Sequence, residues 1–180
     1  VFAERVGVRA AGSETPVEAG DLWHIGSCAK AITATLLATY VAEGRLSWGD
    51  TLGEALPGHV DLMSPPVKAR TVAELLRHRA GMPANASRRL FGQLRAMDRT
   101  KGREAVVREA LMTARAVHEG DEPTYSNTGY VVAGAIAERL GGKPWEALVV
   151  QRVLEPLGVA RGQYGFGAPP AGGDVTLPEQ

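Results

Sequence analysis

The sequence predicts an α/β (α+β) fold with a little strand at its start and helix over most of the remainder, and three observations point there. Residues 2–10, "FAERVGVRA", alternate roughly apolar and polar, with Val6 and Val8 on one face, and run into "AGSETPVEAGD", which is dense in turn formers. From Ser27 to Glu43 the pattern changes to helix: nearly every face is apolar or small, and after Lys30 no charge appears until Glu43. Beyond it, helical stretches bounded by caps and breakers follow one another as far as Leu154.

Taken in order, the first strand covers residues 2–10, and a short second extended piece is expected at Leu22 to Ile25. Ser27 stands at or near the N-cap of the long helix, and Gly44 follows its last turn as a stop. So little polar surface predicts burial on most sides. "SWGDTLGEALPGH" reads as loop with one helical turn. Thr71 to Arg77 opens with a capping box, Glu74 standing three residues after Thr71, and stops near Gly81 and Pro83. Two helices are expected around Arg88 to Met97 and Arg103 to Ala116. Residues 128–140, "TGYVVAGAIAERL", form another, with Ala133, Gly134 and Ala137 suited to close packing and Gly141 closing it. Pro144, at a first-turn position, starts the next, which runs to Leu154 before Pro156. The tail from Gly162 is rich in glycine and proline and reads as loop or linker. The organisation is therefore residues 1–52 for the opening strands and long helix, 53–165 for a mostly helical region, and 166–180 for a linker.

The chain of 180 residues is long enough for one domain with a sizeable core, or for a piece of something larger. Twenty basic and twenty acidic side chains balance to zero, which argues against a nucleic-acid or acidic-membrane partner, since either favours a basic surplus in a patch or stripe. The nearest thing to a patch, Arg77, His78, Arg79, Arg88 and Arg89, reads as a solvated face. Cys28 is the single cysteine, so no intrachain disulfide can form, and His24, His59, His78 and His118 show no paired ligand spacing. No metal site and no cofactor are assigned. No stretch reaches the roughly 18 uncharged apolar residues of a membrane span. The N-terminus lacks the regions of a signal peptide, so an export signal would have to precede Val1. With such a signal the protein is periplasmic or secreted, and without one cytoplasmic.

The chemistry concentrates at Ser27 and Lys30. Residues i and i+3 on a helix share a face, so their side chains are neighbours. A serine at a helix start also faces free backbone N–H groups, which stabilise an oxyanion forming beside it. Apolar neighbours would desolvate the lysine and favour a neutral amine able to accept the serine proton. Against this, a Ser-x-x-Lys spacing arises by chance about once in a chain of this length, and a capping serine beside a snorkelling lysine is the ordinary reading. A second constellation lies in "EPTYSNTGYVVAG", which places Tyr125 and Asn127 just ahead of the small-residue helix. Tyrosine relays protons when a nearby cation lowers its pKa, and an asparagine amide binds a substrate carbonyl. Taken alone, Tyr125 could equally pack and Asn127 cap the helix at Thr128.

Together "HIGSCAKAITATLLATYVAEGRLSWGDTL", "TVAELLRHRAGMP" and "YSNTGYVVAGAIAERLGGKPWEALVVQRVLEPLGV" resemble the serine beta-lactamase and penicillin-binding-protein superfamily. The nearest branch is that of the class C beta-lactamases with their esterase and D-alanyl-D-alanine peptidase relatives. The resemblance covers most of residues 5–160 in the family's order. It implies a helical region inserted into a mixed sheet, and acyl transfer through a covalent serine ester without a cofactor. By resemblance Ser27 is the acylated nucleophile and Lys30 the lysine that assists its deprotonation. Tyr125 matches the tyrosine that relays protons in acylation and hydrolysis, and Asn127 the asparagine that contacts the substrate amide and the lysine. Cys28, inside the motif, is expected to be a small buried residue.

The family's third motif, Lys-Thr-Gly or His-x-Gly on a later strand, has no counterpart in the expected place; "HEG" at 118–120 and "HIG" at 24–26 fit the letters but not the position. The family's returning strands and last helix are likewise missing, so the fold reads as incomplete at its C-terminal side. A partial chain, a split protein completed by another polypeptide, and a shortened relative without catalysis all stay open. The first is favoured because everything present keeps the family pattern. The expected partners are a small acyl substrate (a beta-lactam, a peptide ending in D-alanine, or a small ester) and a complementing C-terminal segment or chain. A non-catalytic penicillin-recognising or interaction module is the competing function.

Overall fold

In the computed structural model, which describes residues 4–118 and 120–166, the long apolar segment forms α1 (Ala29–Ala42), led in by a 3₁₀ turn at Gly26–Cys28. Thr33, Leu36, Leu37 and Tyr40 recur at helical spacing and make its buried stripe. The opposite flank is more open than its scarcity of polar residues predicts, with Ala31 and Thr35 exposed and Ile32 and Ala34 half-buried. Two causes combine. The helices packed on α1 lie on one side, and the hydroxyls of Thr33 and Thr35 bond back to Ala29 O and Ala31 O, so the helix satisfies its own polar groups. Gly44, at φ +68, follows the last turn.

Two threonine caps organise the next segment. Thr51 opens α2 (Leu52–Ala55) and Thr71 opens α4 (Val72–Leu76), each with a complete capping box to Glu54 and Glu74. The caps face each other across a single antiparallel bridge, with Leu52 N–H donating to Arg70 O (2.7 Å) and Val72 N–H to Asp50 O (2.9 Å). Between them lie a 3₁₀ turn at Pro57–Leu62 and the short α3 (Pro65–Lys68). Then come α5 (Arg88–Leu94) and α6 (Arg99–Thr113). The latter begins one turn before the expected Arg103 because the Asp98 side chain accepts from Lys101 N–H.

Helix α7 (Asn127–Gly141) is capped by Ser126, and it closes at Gly142 (φ +65) rather than at Gly141. Gly141 is needed for another reason: a Cβ there would lie 2.4 Å from both Leu148 Cδ2 and Tyr40 Oη. Pro144 leads into α8 (Trp145–Val149), which continues as a π turn at Val150–Leu154. The core is built where α1, α4, α6, α7 and α8 meet, around Leu36, Leu37, Tyr40, Leu75, Val107, Val132, Ile136 and Leu148. Arg103 ties three of these helices together, bonding Glu138 on α7 and Glu146 on α8 from its place on α6.

The expected opening strand is not found. Val8 makes one isolated antiparallel bridge to Pro16, residues 22–25 are irregular, and no strand longer than a bridge occurs among the described residues. Val6 is 89% exposed and Val8 46%, so no apolar layer covers this pair of segments, and a lone hairpin is marginal in water. The mixed sheet is therefore not seen. The linker expected at 166–180 lies, apart from Phe166, outside the described residues.

Candidate active site

Ser27 sits in the 3₁₀ turn at the front of α1, entered through Gly26 at φ +50, and within that turn Cys28 N–H donates to Ile25 O and Ala29 N–H to Gly26 O. It is not the cap that the sequence also allowed: neither the turn nor α1 has a side-chain cap, and α1 has Cys28 at its N-cap position. Instead Ser27 Oγ lies 2.6 Å from Tyr125 Oη. One turn on, Lys30 Nζ donates to Ser27 Oγ (3.2 Å) and to Asn127 Oδ1 (2.7 Å). All four candidate residues thus form one hydrogen-bonded chain, although about a hundred residues of sequence separate the two pairs.

The placement of Tyr125 and Asn127 follows from Ser126 between them. Ser126 has extended backbone, so its side chain points one way and those of its neighbours the other. It is buried, with Oγ accepting from Gly129 N–H (2.9 Å) and donating to Pro83 O (2.7 Å), while Thr128 Oγ1 also donates to Pro83 O. Asn127 N–H donates to Ala84 O (2.8 Å). With the intervening serine fastened inward, Tyr125 and Asn127 face the exposed side, where Ser27 lies. The loop they lean on is fixed at Gly81, whose φ of +73 and close approach to Arg115 O leave no space for a Cβ.

Three further residues complete the cluster, and sequence reasoning missed each. Asn127 Nδ2 donates to Asn85 Oδ1 (2.8 Å), which fixes the amide so that its oxygen meets Lys30. The Tyr130 ring flanks Lys30 Nζ, 5.6 Å from its centroid, while its hydroxyl donates to Leu76 O. His78 packs against Tyr125, with ring centroids 4.6 Å apart and planes tilted by 39°. Asn85 had no sequence signal. His78 stood inside "LLRHRAGMP", but its arginine neighbours made it read as part of a solvated basic face; it is in fact half-buried against two tyrosines.

Electrostatics follow from this packing. The Lys30 side chain foremost, then the Ser27 hydroxyl, hold the Tyr125 phenol below the ordinary tyrosine range. Burial, then the Lys30 charge, push His78 below the ordinary histidine range. Burial and the neighbouring Tyr125 raise Tyr130. Two expectations need correction. Lys30 is not wrapped in apolar side chains: its amine meets Ser27, Asn127 and the faces of Tyr125 and Tyr130, because the small alanines around it on α1 do not reach its head group. Cys28 is exposed, because the 3₁₀ turn directs it away from the core that lies on the other side of α1.

Comparisons with known proteins place the chain in a family. Over residues 1–180 the chain matches the family described as Beta-lactamase. It is 27% identical over 177 residues to penicillin-binding protein 4 of Amycolatopsis lactamdurans, a match covering 97% of this chain and 41% of that protein. Among solved structures, it is similar to the octameric penicillin-binding protein homologue of Pyrococcus abyssi (TM-score 0.63, 28% identity, 84% of this chain and 35% of that one). It is also similar to the D-amino acid amidase of Ochrobactrum anthropi SV3 complexed with D-phenylalanine (TM-score 0.63, 25% identity, 85% and 40%). The chain therefore spans less than half the length of each of these proteins.

Proposed function

This chain belongs to the beta-lactamase family, and on that premise we propose that it carries the nucleophile and proton relay of a serine hydrolase working by acyl transfer. The observation that carries the proposal is the 2.6 Å contact of Ser27 Oγ with Tyr125 Oη, with Lys30 joining Ser27 to Asn127. Because a Lys30 N–H occupies a lone pair of Ser27 Oγ, the serine proton is directed to the remaining neighbour, Tyr125 Oη. With Tyr125 entering as the phenolate that Lys30 stabilises, attack of Oγ on a substrate carbonyl transfers that proton to the phenolate oxygen as the C–O bond forms. Tyr125 then delivers it to the departing nitrogen or oxygen, the bond to the leaving group breaks, and a Ser27 ester remains. Water follows the same route in reverse roles, giving up a proton to Tyr125 as it attacks the ester, and Ser27 is released. A Tyr125 phenol of lowered pKa suits both directions.

Asn127 keeps one Nδ2 hydrogen free once Asn85 and Lys30 have taken its other groups, and that hydrogen is the one offered to a substrate carbonyl. The substrate is an acyl compound of small size: a beta-lactam, a peptide ending in D-alanine, a small ester or an amide. The D-amino acid amidase and penicillin-binding relatives support that class without choosing within it. A complementing segment against the open flank of α1 belongs to the same reading.

The test is covalent labelling of the protein that carries this chain with a fluorophosphonate and with a fluorescent penicillin, followed by tryptic mapping. An adduct on Ser27 that disappears in Ser27→Ala is expected. Labelling that survives in Ser27→Ala removes Ser27 as the nucleophile; stoichiometric labelling without turnover of any acyl substrate assigns the protein to recognition instead of hydrolysis.

A further inference from the structure

Resting on the reading of Tyr125 as the proton relay, we propose that His78 is the residue that positions it, and that it does so only as a neutral imidazole. His78 grips the chain on both sides of Tyr125. Its carbonyl accepts from Thr124 N–H (3.2 Å), its Nδ1 accepts from Ser126 N–H (3.1 Å), and its ring packs, tilted, against the phenol of the residue between those two anchors. Tyr125 is thereby flanked by the His78 ring and by Lys30 Nζ, 4.7 Å from the phenol centroid. His78 adopts φ +61, the one positive φ of a non-glycine residue among the described residues. That conformation is uncommon for a residue with a Cβ, and such outliers persist where surrounding contacts over-determine them.

The hydrogen bond defines the protonation state. A nitrogen that accepts from an amide N–H carries no proton, so the ring's single hydrogen lies on Nε2. A second proton could enter only at Nδ1, where it would oppose the Ser126 N–H and break the anchor next to Tyr125. Burial foremost, then the charge of Lys30 on α1, disfavour that proton; the other titratable or charged groups about the ring are Tyr125 and Tyr130 from the α7 side and Arg77 and Arg79 as chain neighbours. No ion pair among the described residues stabilises a charged His78; the histidine that has one is His59, with Glu104. Acidification therefore releases Tyr125 from its clamp without touching Ser27 or Lys30 directly.

The experiment has two arms, run on the protein that carries this chain. In the first, Ser27 acylation is followed against pH for wild type, His78→Ala and His78→Asn. Asparagine tolerates positive φ and offers Oδ1 near the place of Nδ1, but it cannot take up a proton there. His78→Ala should lower the maximal acylation rate about 10-fold or more, as expected for a misplaced proton relay. The probe concentration giving half-saturation should stay the same. His78→Asn should recover most of that rate and lose the acid limb that wild type shows below pH 6.5, the ordinary histidine value. An unchanged rate in His78→Ala, or an acid limb that persists in His78→Asn, overturns the proposal.

The second arm does not depend on turnover. NMR titration of the labelled wild-type protein should show the Ser126 amide and the Tyr125 ring moving with the His78 Cε1 proton, at a midpoint below 6.5. Independence of those signals from His78 refutes the clamp. If Ser27 proves unreactive, the hydrolase reading fails while this arm still decides on His78.

Discussion

Gly81→Ala offers a sharp test of how the helical region supports the site, because the structure resolves its cost into separate parts. Gly81 is buried with φ +73, and a Cβ on it would lie 2.0 Å from Arg115 O and 3.1 Å from Arg115 C. The positive φ alone costs an alanine about 1–2 kcal/mol. The overlap is with backbone, which cannot swing aside, so the chain must move by more than an ångström; overpacking of this kind costs about 1–3 kcal/mol. That movement also stretches the Arg115 N–H bond to Gly81 O, now 3.0 Å, whose loss adds about 1 kcal/mol. The expected destabilisation is about 4 kcal/mol, a fall in Tm of about 10 °C for a chain of this size. Gly142→Ala is the control. Its φ is +65, but nothing lies within 4 Å of its Cβ, so it isolates the conformational cost. Thermal or urea unfolding should show Gly81→Ala losing at least about twice as much stability as Gly142→Ala. Equal losses would mean that the loop yields freely at residue 81, and the argument that Gly81 fixes Pro83, Ala84 and Asn85 against α7 would fail.

Two further outcomes are expected. Tyr125→Phe keeps the ring packed against His78 but removes the group 2.6 Å from Ser27 Oγ, so Ser27 labelling should slow by about 100-fold with little change in stability; labelling at the wild-type rate, measured by quench and intact mass, would remove Tyr125 from proton transfer. Arg103→Met leaves Glu138 and Glu146 facing each other with no cation between them, which should cost about 3 kcal/mol near neutral pH. The loss should shrink as acid protonates the two carboxyls, and an equal loss in urea melts at both pH values would point to packing instead of charge.

What could be read from the sequence depended on whether a residue's role is local. Ser27 and Lys30 share a helix face by spacing alone, and the Thr71 box is complete within four residues, so both stood out before any tertiary contact was known. The Thr51 box has the same Thr-x-x-Glu signature, and it caps the single helical turn expected within the otherwise loop-forming "SWGDTLGEALPGH". Strand is the opposite case. The alternation of residues 2–10 describes a face that something could cover, yet whether it pairs is decided by other segments, and the described residues supply only Pro16 as a bridge partner for Val8.

His78 and Asn85 show the same limit within the site. Each matters because of what it meets from another part of the chain: the peptide on either side of Tyr125 for one, the Asn127 amide for the other. In sequence His78 is a polar residue among arginines. In the fold its backbone turns into a left-handed conformation just after α4, which carries the imidazole inward while Arg77 and Arg79 stay exposed. That turn follows from where the chain must go next: Arg79 N–H returns to Glu74 O to close the helix, and Gly81 must reach Arg115. The same closing contacts that end α4 thus set the ring against Tyr125. Disturbing them at Gly81 should therefore shift the pH dependence that His78 confers as well as the melting temperature, which would link the helical scaffold to the proton relay through one loop.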